Sequence, residues 1–320
     1  MNSRILPFFL VFITCLSCKS GPRYVEITGY AQGSAYSIKC SLPDRPGAQE
    51  EAHMLQNGVD SILGCIDRAV SGYNQESLLS RSNAGVDITD DGSAEYLIFN
   101  GLRNYCDSIY TATGGVVDCR AAALFDIWGF GFKNGEMPSE DEIQKALEDR
   151  SRMNFNAVAQ GYSADLVASY LAGQGVGNML VNIGGEMLCS GVNPQGREWT
   201  IGIDAPFDGN MEPGKNLETV FKIPVGSRCG VVTSGNYRKF YVHDGKKYAH
   251  TIDPRTGRPV QHNLLSATVI APTSALADAM ATYCMVVGMD EAASFIESRK
   301  DLEGCLISSD SLWCSRNFRK

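Results

Sequence analysis

The chain has no excess of positive charge: 28 lysines and arginines stand against 36 aspartates and glutamates, a net charge of −8 over 320 residues. A surface that neutralises phosphates needs the opposite balance, so a nucleic-acid partner is not expected. Setting aside Cys15 and Cys18, none of the other nine of its 11 cysteines forms a CxxC pair. That odd remainder completes no disulfide framework, and it argues for small buried hydrophobes such as Cys284 rather than for a zinc site. No repeat, linker or low-complexity tract divides the chain, and no βαβ alternation is long enough for a doubly wound sheet. The length suffices for one large domain or two closely packed subdomains, here residues 22–320. The only long apolar run, ILPFFLVFITCL, follows the basic start MNSR and is too short to span a membrane as a mature helix. It reads as a secretory signal over residues 1–18. Ser17 before Cys18 resembles a lipoprotein cleavage site, which would leave Cys18 acylated; the alternative is an ordinary signal peptide cut near Gly21.

What is present alternates between strand and helix patterns. YVEITGYAQGSAYSIKCSL reads as two strands joined by a glycine turn, and residues 49–66 as a helix. Residues 71–83 form a polar loop opening a short helix, and 93–113 an amphipathic helix ending before Gly114–Gly115. Asp118 then leads into an apolar helix, and PSEDEIQKALED supplies another with acidic residues in its first turn. The segment from Asn154 to Gly191 reads as a loop, a helix and two short strands around Gly184–Gly185. WTIGIDAP, TVFKIPV, GVVTSG, RKFYVHDG and KYAHTIDP read as an antiparallel meander, LLSATVIA as a further strand, and 274–287 as a helix. The class is α+β, with mixed or antiparallel sheets flanked by helices.

Three constellations carry chemistry. In ALADAMATY, Asp278 and Thr282 sit four apart on one helix face. They form either a solvated stripe, with the threonine bonded back to its helix, or an oxygen pair suited to a hard cation such as magnesium. HTIDPRTGRP holds an Asp-Pro turn that explains Asp253, Pro254 and Gly257 but not His250, which is either a satisfied strand histidine or a proton-transfer group. NAVAQGYSAD places Ala157, Gly161 and Tyr162 at a helix entry, where backbone N–H groups can meet phosphate and a loop carbonyl can meet a metal. The simpler reading there is an ordinary helix start, with Asp165 as a first-turn carboxylate on the dipole.

Taken in order, GYAQGSAY, SGYNQESLLSRSN, GGVVDCRAAALFDIWGFG, NFNAVAQGYSADLVASYL, LVNIGGEMLCSG, TSGNYRKFY, HTIDPRTGRP and ALADAMATY resemble the ApbE-like family of periplasmic FAD:protein FMN transferases. The resemblance covers nearly the whole mature chain. It implies an enzyme that binds FAD, uses Mg2+ at the pyrophosphate, moves FMN onto a threonine or serine hydroxyl of an acceptor protein, and releases AMP. It also implies a metal held by Asp278, Thr282 and the carbonyl of Ala157, with His250 as base. Gln32, Tyr73, Val116, Val117, Asp118, Asn154, Gln160, Gly184, Gly185 and Ile252 match positions in the flavin-nucleotide site. The acceptor implied is a membrane redox subunit facing the periplasm, reached by an exported, lipid-anchored protein. The chain departs from the commoner pattern at Gln32 for methionine, Ser34 for threonine, Asn154 for aspartate and Gln160 for lysine. The same site with water as acceptor would make an FAD pyrophosphatase, and a site without turnover a flavin-binding lipoprotein.

Overall fold

The computed structural model of the protein describes residues 23–42, 48–130, 137–207, 209–210, 212, 214–237, 240–243 and 246–318. The candidate leader, residues 1–18, and the alternative cut near Gly21 lie outside the described residues. Strands β1 (Tyr24–Ala31) and β2 (Ser34–Ser41) form a hairpin closed by Gln32–Gly33. Both turn residues have positive φ, 52° and 73°, as a two-residue hairpin turn demands, so the glutamine occupies a conformation that glycine or asparagine takes more cheaply.

Among the described residues six helices follow: α1 (Ala48–Val70), α2 (Leu78–Asn83), α3 (Ala94–Ala112), α4 (Ala122–Ile127), α5 (Glu140–Glu148) and α6 (Ala159–Gly173). Ser77, Ser93 and Ser139 each accept an N–H of the first turn and fix where α2, α3 and α5 begin. At α5 the Glu142 carboxylate returns the bond, completing a capping box.

After α6 come β3 (Met179–Ile183), β4 (Glu186–Ser190), β5 (Trp199–Asp204), β6 (Leu217–Ile223), β7 (Arg228–Gly235), β8 (Phe240–His243), β9 (Lys246–Ala249), β10 (Ile252–Asp253), β11 (Arg258–Pro259) and β12 (Leu264–Ala271). Helices α7 (Ser274–Val287) and α8 (Met289–Ser298) and strands β13 (Glu303–Ser308) and β14 (Leu312–Cys314) complete the chain. Among the described residues, one eight-stranded sheet runs β1-β2-β3-β4-β7-β12-β13-β14, with every neighbouring pair antiparallel.

The expected single meander from Trp199 onward is corrected by this pairing. Strand β5 pairs with β6 and β8 with β9 as separate hairpins, while β7 enters the large sheet between β4 and β12. Alternation fixes which side chains share a face but not which strand lies alongside, and that is the physical reason for the difference. The period-two pattern explains the layers: Val232 and Val269 point into the large core with α1, α3, α6, α7 and α8, whereas Val231 and Cys189 point to the opposite face. There Trp199, Ile201, Ile203, Phe221 and Ile223 of the β5–β6 hairpin cover them. A satellite cluster of Leu124, Trp128, Ile143 and Ile252 holds α4, α5 and β10 together, and the Trp128 indole donates to the Gly257 carbonyl at 2.7 Å.

Among the described residues, no helix is long and apolar enough to cross a membrane.

Candidate active site

The site is built where α6 meets α7. Thr273 caps α7, accepting the Leu276 N–H at 3.2 Å, and starts the helix at Ser274 as its sequence pattern predicts. A Cβ on Gly161 would lie 2.4 Å from the Ser274 carbonyl oxygen and 2.8 Å from the Asp278 Cβ, so only glycine allows α6 this close. On the other side of Ser274, a Cβ on Gly230 of β7 would lie 2.3 Å from its Cα. Two glycines thus seat the first turn of α7 between α6 and the sheet.

That close approach has an electrostatic consequence. Gly161 is the third helical residue after the Val158 N-cap, so its N–H is one of those a helix start leaves without an intrahelical acceptor, and it donates to Asp278 Oδ2 at 3.1 Å. Ala157, just before the N-cap, is half-buried, and among the described residues its carbonyl accepts no backbone hydrogen bond. Asp278 is 5% exposed, not on a wet stripe. Burial pushes its carboxyl up to about 7, the Gly161 N–H lowers it, and the nearby Asp165 charge raises it. Thr282, one turn on, is half-buried and its hydroxyl makes no hydrogen bond among the described residues. Thr111, Thr113, Ser163 and Ser169 bond back to their helix carbonyls, and Thr282 does not. A carbonyl, a carboxylate and a hydroxyl are thereby each left with lone pairs to spare.

Most of the other expected residues fall into two groups. Gln32, Gln160, Gly184 and Gly185 come together at the N-terminal half of α6. Gln32 Nε2 donates to Ser163 Oγ at 2.5 Å, Gln160 Nε2 donates to Ser34 Oγ at 3.2 Å, and the Gln160 amide packs over Gly184. The Gly184–Gly185 turn joins β3 to β4 with both φ positive, at 69° and 118°, and Gly185 N–H donates to Asn182 Oδ1 at 2.9 Å. A second group links Val116, Val117, Asp118 and Asn154: Asn154 N–H donates to the Cys119 carbonyl at 2.7 Å, and Asn154 Oδ1 accepts the Asn156 N–H, shaping the loop that ends at Ala157. Val116, Val117 and Ile252 are buried, and their apolar side chains carry no polar group for a ligand. The Asp118 carboxylate is already engaged by the Arg150 guanidinium, at 2.6 and 3.1 Å, and by the Arg120 N–H. Tyr73 and His250 remain. Tyr73 is 75% exposed between α1 and α2. His250 is half-buried just before β10, which lies against α7, and its ring stands edge-on to Phe130 at 6.5 Å.

A family model described as the ApbE family matches residues 32–306. The chain belongs to the ApbE family. Among curated ApbE relatives, the FAD:protein FMN transferase of Escherichia coli (strain K12) is 30% identical over 297 residues, covering 83% of this chain and 81% of that protein. The FAD:protein FMN transferase of Vibrio cholerae is 28% identical over 311 residues, covering 88% and 87%. Two solved ApbE structures share the fold. The flavin transferase ApbE from Vibrio cholerae matches with TM-score 0.76 at 25% identity, over 92% of this chain and 98% of its own. The apo flavinyl transferase ApbE of Pseudomonas stutzeri matches with TM-score 0.78 at 27% identity, over 92% and 95%.

Within this ApbE chain, one important carboxylate was misplaced by sequence reasoning. Asp165 does not serve the dipole of its own helix: it reaches across to α7 and accepts the Ser274 and Ala275 N–H groups at 2.8 and 2.9 Å. Its position four residues after Gly161, hence on the same face of α6, was the available signal. Tyr105 was also missed. Its hydroxyl is buried with no hydrogen-bond partner among the described residues, and burial together with the charges of Asp165 and Asp278 holds its pKa well above the ordinary value. Nothing in the pattern of α3 marks it.

Proposed function

We propose that the protein is an FAD:protein FMN transferase that moves FMN from FAD onto a threonine or serine hydroxyl of an acceptor protein, with AMP as the leaving group. Family membership and the names of the relatives support the reaction class. The observation that carries the site is the Gly161 N–H bond to Asp278, because it fixes the start of α6, where the Ala157 carbonyl has no backbone hydrogen bond among the described residues, against a buried carboxylate.

The residues fit a magnesium ion. Ala157, Asp278 and Thr282 offer only oxygen donors, one of them ionisable, which suits a hard cation that takes its other ligands from water and phosphate. No group of three or more His, Cys, Asp or Glu suited to a metal occurs among the described residues, so the arrangement does not suit an ion requiring a dedicated protein cage. When bound, magnesium supplies charge neutralisation at the pyrophosphate. The chain supplies the rest. In this reading, backbone atoms around Val116–Asp118, Gly184–Gly185 and Ile252 position the nucleotide, together with Gln32, Tyr73, Asn154 and Gln160. Gln160 and Asn154 are neutral, and Gln160 already donates to Ser34, so phosphate binding here relies less on side-chain cations. His250 takes the acceptor hydroxyl proton. The hydroxyl oxygen bonds to the FMN-side phosphorus as the bond from that phosphorus to the AMP phosphate oxygen breaks.

The candidate leader supports an exported, lipid-anchored protein working at a bacterial membrane and facing the periplasm, and the family resemblance implies a membrane redox subunit as acceptor. Incubation with FAD, magnesium and an acceptor domain tests the reading. Flavin fluorescence that stays with the denatured acceptor is expected; FMN and AMP released without acceptor labelling would make the protein a pyrophosphatase instead, and no AMP a flavin binder.

A further inference from the structure

The sheet ends in a pair of cysteines that the flavin site does not use. Strand β14 is the last strand of the large sheet, and Cys314 sits directly opposite Cys305 of β13. The next pair along is hydrogen-bonded, since Ser315 N–H donates to the Gly304 carbonyl at 2.9 Å. Antiparallel pairs alternate, so Cys305 and Cys314 occupy the closer, non-hydrogen-bonded kind of site, where Cα atoms stand about 4.5 Å apart, within the span a disulfide bridges. Their sulfurs are 3.1 Å apart, already nearer than two unbonded sulfurs ordinarily rest.

A second cross-strand pair, Cys189 of β4 and Cys229 of β7, provides the contrast. Gly191 N–H donates to the Ser227 carbonyl at 3.2 Å, two residues along the same register, so Cys189 and Cys229 occupy the wider, hydrogen-bonded kind of site. Burial also pushes the Cys229 thiol up to about 12 and the Cys189 thiol well above its ordinary value, which leaves both slow to act as thiolates. Cys314, like Cys229, is half-buried, while Cys305 lies fully buried behind it, so it is the closer spacing that sets this pair apart.

We propose that Cys305 and Cys314 are a disulfide-forming pair that staples the last strand to the sheet when the protein meets a disulfide oxidant. Cys314, the accessible member, attacks a sulfur of the oxidant and releases one thiol. Cys305 then displaces the second thiol, so two protein thiols become one disulfide as one oxidant disulfide becomes two thiols. An exported protein meets such oxidants routinely. The pairing is independent of the flavin reaction, and either could stand without the other.

The segment between Lys300 and Arg316 contains both residues and no other cysteine, so one tryptic peptide reports the outcome. The folded full chain is reduced, freed of reductant, incubated with glutathione disulfide, then acid-quenched, alkylated in denaturant and digested. The expected peptide 301–316 carries no alkyl group and is lighter than its reduced form by two hydrogens; reduction before alkylation restores two alkyl groups. In Cys305→Ser, Cys314 should instead be recovered alkylated or as its glutathione adduct. Two alkyl groups on the oxidised wild-type peptide, a persistent glutathione adduct, or linkage of either cysteine to a peptide bearing Cys189 or Cys229 would each overturn the proposal.

Discussion

Replacing Asp278 with asparagine should stabilise the metal-free protein while removing its activity. The carboxyl is held at about 7 against an ordinary 3.8, chiefly by burial. A folded-state pKa above the unfolded one means that the folded chain holds the proton more tightly. Stability from this group is therefore complete below the ordinary value and is lost as pH rises through about 7. At about 1.4 kcal/mol per pH unit, ionising Asp278 in the metal-free fold at pH ~8 costs on the order of 4 kcal/mol, and at pH ~4 under about 1 kcal/mol. Asparagine keeps an acceptor for the Gly161 N–H but brings an amide N–H2 group, and leaving that unsatisfied costs about 1–3 kcal/mol. The difference predicts a gain of about 1–3 kcal/mol at pH ~8 that vanishes or reverses near pH ~4. Urea unfolding of both proteins in chelator at the two pH values measures it. An Asp278→Asn protein less stable than wild type at the higher pH would refute the view that the fold holds an uncompensated charge in readiness for a cation.

Asp165→Ala should destabilise the fold by about 2 kcal/mol, because a carboxylate that caps two N–H groups of α7 is lost, and it should also weaken magnesium-dependent transfer; urea melts and a magnesium titration check both. Gly161→Ala forces α6 and α7 apart and should cost about 1–3 kcal/mol, read as a lower unfolding midpoint, with transfer reduced as well. Thr282→Ala should stay within about 0.5 kcal/mol of wild-type stability, since its hydroxyl has no partner among the described residues to lose. Its transfer rate should fall less than that of Asp278→Ala, as a neutral hydroxyl contributes less to a hard cation than a carboxylate.

Local structure was legible where one residue type has one local job. The helix over 274–287, the glycine turn between the first two strands and the acidic first turn of the PSEDEIQKALED helix all follow from periodicity and turn chemistry. Partnership across space was not. Strand β7 lies between β4 and β12 in the large sheet while β5 and β6 pair with each other, a choice of partners that the pattern within each strand does not encode. At the candidate site, no spacing rule shows that the Gly161 N–H finds its acceptor in Asp278 or that Asp165 caps a helix more than a hundred residues away. Asp118 carries the same lesson: its carboxylate belongs to Arg150, a pairing that the sequence offers no means of choosing.

The central claim is that a carbonyl, a buried carboxylate and an unbonded hydroxyl where α6 meets α7 make a magnesium-dependent flavin-transfer site. It is tested most directly by following covalent flavin on an acceptor protein supplied with FAD, for wild type and Asp278→Ala, with magnesium present and with magnesium chelated. The account predicts labelling by wild type with magnesium only. Equal labelling by Asp278→Ala, or labelling undiminished by chelation, would contradict it.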